Sequence, residues 1–285
     1  MNETLQIHHD TAACRFSAEL DGHAMELDYR LQPGQIVFTH TGVPPALQGR
    51  GLAGQLVAQG LAWAASQERE VVPACSYVAA YLKRHPRWLA LTLATNIQAV
   101  LNYWFGVLGS PDDGQIRPLW FRKSEQTDRE IEQGFAARVE EALAGQLASW
   151  DARPLGRLAR ILLLDQFSRN IYRGQARSFA GDAQALQDTL ALLSQDQLQR
   201  LTPLQQWFAL MPLEHAEDMA MQDRAVAEFT RLAEQEPRLA GALDYAEKHR
   251  AVIAQFGRFP HRNAILGRIS TAEEQAYLAQ PGSGF

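Results

Sequence analysis

Cysteine is scarce, with Cys14 and Cys75 the only two among 285 residues. Two thiols exclude a disulfide framework, and the simpler expectation is reduced thiols in the cytoplasm. No window approaches the roughly 20 consecutive apolar residues of a membrane span. The N-terminus, with His8, His9 and Asp10, has no basic segment followed by an apolar stretch, so no signal peptide is expected. Charge of one sign is also lacking. The formal net charge is −5, and residues 1–94 hold 7 Lys/Arg against 8 Asp/Glu while the remainder holds 20 against 24. Neither part is a basic nucleic-acid-binding body, so neither nucleic acid nor a membrane is expected as a partner. Fixed-period repeats and low-complexity linkers are absent. A 46% hydrophobic and 21% charged chain of this length suits a soluble globular protein of one large or two modest domains.

The character of the chain changes near residue 90. Before it, short alternating segments lie between turn signals. Residues 14–20 lead to Asp21-Gly22, a strong hairpin signal; residues 25–31 alternate with period two and lead to Gln32-Pro33-Gly34; residues 36–40 follow. These predict an antiparallel meander. A helix is expected over about 52–67, a short strand over 70–73 and a second helix over 76–84, stopped by Pro86. Beyond residue 94 helical periods dominate, over 97–106, 128–148, 154–170, 182–193, 203–210, 217–234 and 239–256. Pro154 and Pro203 sit in first turns, where the missing N–H costs little, and Gly257 and Pro260 close the last long helix. Strands segregated from helices predict two domains, 1–92 and 96–285, with a short junction near 88–96.

The densest chemical signal before residue 90 is Gln48-Gly49-Arg50-Gly51-Leu52-Ala53, which opens an amphipathic helix after a strand ended by Pro44-Pro45. Glycines allow positive φ and close approach of backbone N–H groups to a ligand. The first helical turn supplies unpaired donors and a positive dipole end, which together favour a diphosphate, and Arg50 adds a charge-assisted contact. The spacing fits neither the Walker motif nor the dinucleotide fingerprint. Cys75 lies at the start of the second helix, a position that favours a thiolate; it reads as a nucleophile, as a polarisable neighbour of a reacting group, or as an inert buried thiol. His40 ends its strand and reads as a proton relay or as a hydrogen-bonded strand-end histidine.

Read at Gln48, Gly51 and Ala53, the pattern Gln-x-x-Gly-x-Ala resembles the acetyl-CoA diphosphate motif of GNAT acetyltransferases. Residues 40–45, 49–51, 72–78 and 84–86 are similar to the minimal, roughly ninety-residue subfamily. The resemblance spans most of residues 5–88. It implies an α/β fold, with acetyl-CoA as cosubstrate wedged where two parallel strands diverge. It also implies a bulge at Val43-Pro44, pantetheine along 38–43 and the diphosphate on Gly49–Ala53. Tyr81 then reads either as the tyrosine that protonates the departing thiolate, as one does in many enzymes of that family, or as a core tyrosine on an apolar helix face; Cys75 and His40 are the other catalytic candidates. That subfamily commonly has an acidic residue where this chain has Gly42, which implies cofactor binding retained with turnover weakened or abolished.

The second half concentrates polar groups inside helical patterns. Asp165 and Arg169 stand at the i,i+4 spacing of a same-face ion pair, next to Asn170. Glu214, His215 and Asp218 group acids and a base, and Arg258, His261, Arg262 and Asn263 crowd an irregular loop. His215, His249 and His261 are the only histidines here; converging with Glu214 and Asp218 they would form a metal or acid–base site. No spacing matches a zinc motif, so a buried polar network is favoured and no metal is expected. The motifs at 100–106, 163–174, 214–218, 256–263, 266–271 and 281–285 resemble the bacterial proteins grouped as domain of unknown function 924. That resemblance implies an all-α, tetratricopeptide-like domain without a settled activity. The leading expectation is acetyl transfer to a small-molecule amine or a peptide or protein acceptor, the helical domain supplying acceptor or partner binding. The alternatives are a non-catalytic adaptor for acetyl-CoA or peptides, and a separate activity in the helical domain.

Overall fold

The computed structural model describes residues 5–32, 34–67, 69–92 and 95–283. Pro33 of the expected turn and residues 93–94 of the expected junction lie outside these. The chain divides into two compact units, Met1–Thr95 and Asn96–Phe285.

In the first unit β1 (His8–Asp10), β2 (Arg15–Leu20), β3 (His23–Gln32) and β4 (Gln35–Gly42) form an antiparallel meander. The Asp21-Gly22 turn places both residues at positive φ, 53° and 73°, the twist that a two-residue hairpin requires. Helix α1 (Leu52–Ser66) then makes the crossover that lets β5 (Glu70–Pro73) pair in parallel with β4, and α2 (Ser76–Arg84) follows. Alternation sorts the meander: Phe16, Ala18, Met25, Leu27, Tyr29, Ile36 and Phe38 are buried in one core with the apolar stripes of α1 and α2. Gly60 lets α1 lie close on the sheet, because a Cβ there would stand 2.7 Å from Leu27 Cδ2 and 3.0 Å from Phe38 Cε1.

The bulge expected at Val43-Pro44 lies elsewhere. Asp28 pairs with His40 and Tyr29 with Phe38, which leaves Thr39 as the extra residue, its hydroxyl donating to the Asp28 carbonyl at 3.3 Å. Pro44 and Pro45 have no N–H to give a ladder, so they end β4 at Gly42 instead of bulging it.

The second unit comprises α3 (Thr95–Phe105), α4 (Glu125–Leu143), α5 (Pro154–Ile161), α6 (Ser168–Ile171), α7 (Asp182–Ser194), α8 (Pro203–Glu214), α9 (Met219–Gln235), α10 (Ala240–Phe256) and α11 (Ala272–Leu278). A wide π-helical turn, Leu162–Phe167, joins α5 to α6 without a break, and all six of its residues are buried. Such turns insert an extra residue into a helix and often mark functional positions. Helices α7, α8, α9 and α10 each pack on the next. Thr202 and Thr271 cap α8 and α11 with reciprocal boxes, closed by Gln205 and Glu274.

Candidate functional site

β4 outruns β5. Their pairing ends at Phe38↔Pro73, whereas β4 continues to Gly42. Cys75 marks the parting: its N–H donates to the Phe38 carbonyl at 2.8 Å, and its sulfur lies 3.4 Å from the Thr41 hydroxyl. Beside this seam opens a cleft of about 490 Å³ lined by Thr41, Val43, Leu47, Gln48, Gly49, Gly51, Leu52, Ala53 and Tyr77. The volume falls in the usual range for small-ligand sites.

The turn that enters α1 is built on two left-handed glycines, Gly49 at φ 81° and Gly51 at φ 78°. A Cβ on either would meet nothing within 4 Å, so glycine is required there by conformation and not by crowding. No side chain caps α1. Its first-turn N–H groups, including those of Leu52 and Ala53 at the cleft wall, are therefore not claimed by a capping side chain. Gln48 is tied to the Val43 carbonyl at 3.2 Å and fixes the loop. The lining thus has an amide-rich, glycine-built end for an anion and an apolar stretch through Val43, Leu47 and Leu52, which together fit a diphosphate with a long arm. Arg50 is not among the lining residues; its guanidinium pairs with Asp21 at 2.9 Å on the hairpin turn.

Two catalytic candidates, Tyr81 and His40, stand outside the cleft lining. Tyr81 is buried and stacked on His85 with 4.0 Å between centroids, and it packs where Gly54 of α1 lacks a side chain. Tyr77, one turn earlier and half-buried, lines the cleft in its place. Helical phase decides this: Val78, Tyr81 and Leu82 form the inward stripe of α2, and Tyr77 falls at its edge. His40 stands on the sheet face opposite Thr41, because Thr41 pairs with the core residue Leu27 whereas His40 pairs with Asp28.

The same register explains Gly42. Its cross-strand partner is Glu26, and a Cβ at residue 42 would overlap Glu26 Oε1. The carboxylate also stands 3.8 Å from His40 Nε2. A carboxylate therefore occupies the space beside residue 42, delivered from β3. Sequence reading missed Glu26 because only the register, shifted by the Thr39 bulge, sets it opposite Gly42.

In the helical unit the candidates separate into two groups. Asp165, in the π-helical turn, is fully buried; its Oδ1 lies 2.6 Å from His215 Nδ1 and 3.5 Å from Arg169 Nη2. Burial opposes ionisation of its carboxyl, but the hydrogen bond and charge of His215, with the Arg169 guanidinium, outweigh it and hold the carboxyl below its usual range. Glu214 and His215 end α8, and one ligand atom each of Glu214, His215 and His249 lie within 4.8 Å of one another. Burial, then the Asp165 charge, raises the Glu214 carboxyl well above its usual range. Burial likewise pushes the His249 imidazole down to about 3 and His261 to about 4. Arg262 reaches Asp182 at 3.2 Å and stacks on Phe179, with its centre 4.8 Å from the ring.

The other candidates have structural partners. Asp218 caps α9 through the Met221 N–H, and Asn170 donates to Asp128. Arg258 forks onto Glu274 at 2.6 and 2.8 Å, and Asn263 and the Thr271 N–H donate to the same carboxylate. These bonds, the Arg258 one first, hold Glu274 at about 2. Its folded value lies below the unfolded 4.5, so its contribution is full above pH 4.5 and is lost as pH falls toward 2. Glu274→Gln is accordingly expected to unfold at lower urea than wild type at pH 7, with the difference shrinking at pH 3. A constant difference across that range would contradict the assignment.

No described helix is long and apolar enough to cross a membrane. No curated protein matches the chain at a significant level. A family model of GCN5-related N-acetyl-transferases matches residues 15–91, and one described as bacterial protein of unknown function (DUF924) matches residues 100–282. A solved protein of unknown function from Agrobacterium tumefaciens is similar at 33% identity, with a TM-score of 0.55, over 64% of this chain and 96% of that one. The DUF924 match alone exceeds half the chain, and the chain therefore belongs to this bacterial family, with a domain of the GCN5-related N-acetyl-transferase type preceding the family domain.

Proposed function

We propose that the first unit transfers an acetyl group from acetyl-CoA to an amine. The observation that supports this most directly is the cleft where β4 leaves β5, floored by the doubly glycine-built start of α1. In this reading the amides of Gly49, Gly51, Leu52 and Ala53 bind the diphosphate, and Thr41 and Val43 line the path of the pantetheine arm. The amine nitrogen attacks the thioester carbonyl, a C–N bond forms and the C–S bond breaks. The amine proton passes to Glu26 through His40 or water, and the Tyr77 hydroxyl protonates the departing thiolate. Cys75, buried at the seam, holds Thr41 and does not attack.

The acceptor is a small-molecule amine or a peptide amine, and the helical domain serves acceptor or partner binding. Stacking of α7 through α10 in tetratricopeptide fashion is part of this reading, as is a cytoplasmic location, which two free thiols fit. A second reading, a non-catalytic acetyl-CoA adaptor, draws on Gly42. Calorimetry with acetyl-CoA and a thiol-release assay over mixed amines and peptides separate the two. Binding with amine-dependent thiol release supports transfer, and binding without release supports the adaptor. Absence of binding at millimolar acetyl-CoA sinks both. Gly51→Val, which forces a β-branched residue into left-handed φ, is expected to weaken acetyl-CoA binding at least about tenfold, at a strain of roughly 1–3 kcal/mol.

A further inference from the structure

The helical unit holds a cluster that acetyl transfer does not use. Glu214, His215 and His249 present three ligand atoms within 4.8 Å, at the C-terminal end of α8 and the middle of α10. In a tetrahedral zinc site with bonds near 2.0–2.1 Å, ligand atoms are about 3.3 Å apart. Side-chain adjustments of about 1 Å would bring these three into that range.

The hydrogen bonds around the cluster orient it. His215 Nδ1 lies 2.6 Å from the Asp165 carboxylate, and His249 Nδ1 lies 2.8 Å from the Tyr245 carbonyl. Both partners accept, so both Nδ1 atoms carry hydrogen, and in the neutral rings the lone pair is on Nε2. His215 Nε2 is 4.0 Å from Glu214 Oε1. A carboxylate or carbonyl on the far nitrogen of a ligating imidazole is the usual outer support of a metal-bound histidine. Glu214 is 4% exposed, yet its Oε2 finds no hydrogen-bond partner among the described residues. A buried carboxylate oxygen without a partner is costly in an apolar interior. The end of α8 adds the negative pole of a twelve-residue helix, which favours a cation at the same place. A divalent ion there would offset the Glu214 carboxylate directly and, across the His215 ring, the charge of Asp165.

We propose that Glu214, His215 and His249 form a binding site for one divalent first-row transition-metal ion of the zinc class, with Asp165 as the outer support of His215. Two imidazoles and one carboxylate suit such an ion better than magnesium or calcium, which prefer all-oxygen shells. Three protein ligands leave a coordination position for water or another ligand, the arrangement of reactive rather than structural zinc sites.

The test uses the full chain, stripped with chelator and dialysed, then titrated with Zn²⁺ by calorimetry and with Co²⁺ by visible absorption. One equivalent per chain at micromolar affinity or better is expected, with the absorption of low-symmetry, four- or five-coordinate Co²⁺. Glu214→Gln keeps the size of the side chain and removes its charge, and is expected to weaken Zn²⁺ binding at least about a hundredfold. Asp165→Asn is expected to weaken it by about 10- to 100-fold. Circular dichroism confirms that each variant is folded, and if one is not, the other decides. Absence of uptake by folded wild type would overturn the proposal. So would binding that survives both Glu214→Gln and His249→Gln unchanged, which would place the ion elsewhere, for example at His8 and His9.

Discussion

Replacing Glu26 by Gln is expected to lower the turnover of acetyl transfer by about 10²–10⁴-fold, the range of a lost general base. The dissociation constant for acetyl-CoA should stay within about twofold of wild type, since Glu26 lies on the sheet face away from the glycine turn. Glu26 and Gly42 are opposed on β3 and β4, and the Glu26 carboxylate occupies space that any side chain at residue 42 would contest. An exchange across the strands tests this more sharply than a deletion. Glu26→Ala should be slow, and adding Gly42→Glu should recover at least about tenfold, because the carboxylate returns to nearly the same place from the neighbouring strand. Gly42 is not held at positive φ, so glutamate meets no conformational barrier there. Unchanged turnover in Glu26→Gln, with acetyl-CoA still bound, would remove Glu26 from the mechanism and leave the cofactor site standing.

The second large effect concerns two helical glycines that look alike in sequence. Gly156 lies in α5, and a Cβ there would overlap the Trp150 carbonyl oxygen and stand 3.1 Å from its carbon. Gly134 lies in α4, exposed, with nothing within 4 Å of the same position. Alanine raises helix propensity at both sites by about 0.8–1.0 kcal/mol. At Gly134 nothing opposes that gain, so Gly134→Ala should stabilise by close to the full amount. At Gly156 the clash is with backbone, which cannot swing aside as a side-chain tip can. Overpacking costs typically 1–3 kcal/mol and occasionally more, and here it wins. Gly156→Ala is expected to destabilise by about 2 kcal/mol, or about 4–8 °C in the midpoint of the helical unit. Equal melting of the two variants would show that the α5 contact yields easily.

Much of the fold was legible because its punctuation is local. Asp21-Gly22, the Pro44-Pro45 stop, Ser76 and Pro154 set element ends within one or two residues of those observed. Two elements escaped. β1 is three residues of His-His-Asp and offers too short a run for a period to emerge, and α11 announces itself only by Thr271 and Glu274. Helix α8 runs on to Glu214, four residues past its expected end, with Pro212 inside it. That shortfall hid the fact that Glu214 and His215 share a helix end. The glycine turn was readable from type and order alone, whereas Glu26, Tyr77 and the meeting of His215 with His249 depend on register, helical phase and tertiary approach. Spacing along one chain does not encode these.

The uneven lengths of β4 and β5 have a consequence for self-association. A bare strand edge is ordinarily a template for pairing with another chain. Here the stretch of β4 past its last β5 partner runs from Thr39 to Gly42, about 13 Å at 3.3 Å per residue. The bulge at Thr39 twists its near end, and Pro44-Pro45 closes its far end without donors. A stretch this short can receive one slender extended arm, yet it offers a neighbouring molecule too few rungs to start a shared sheet.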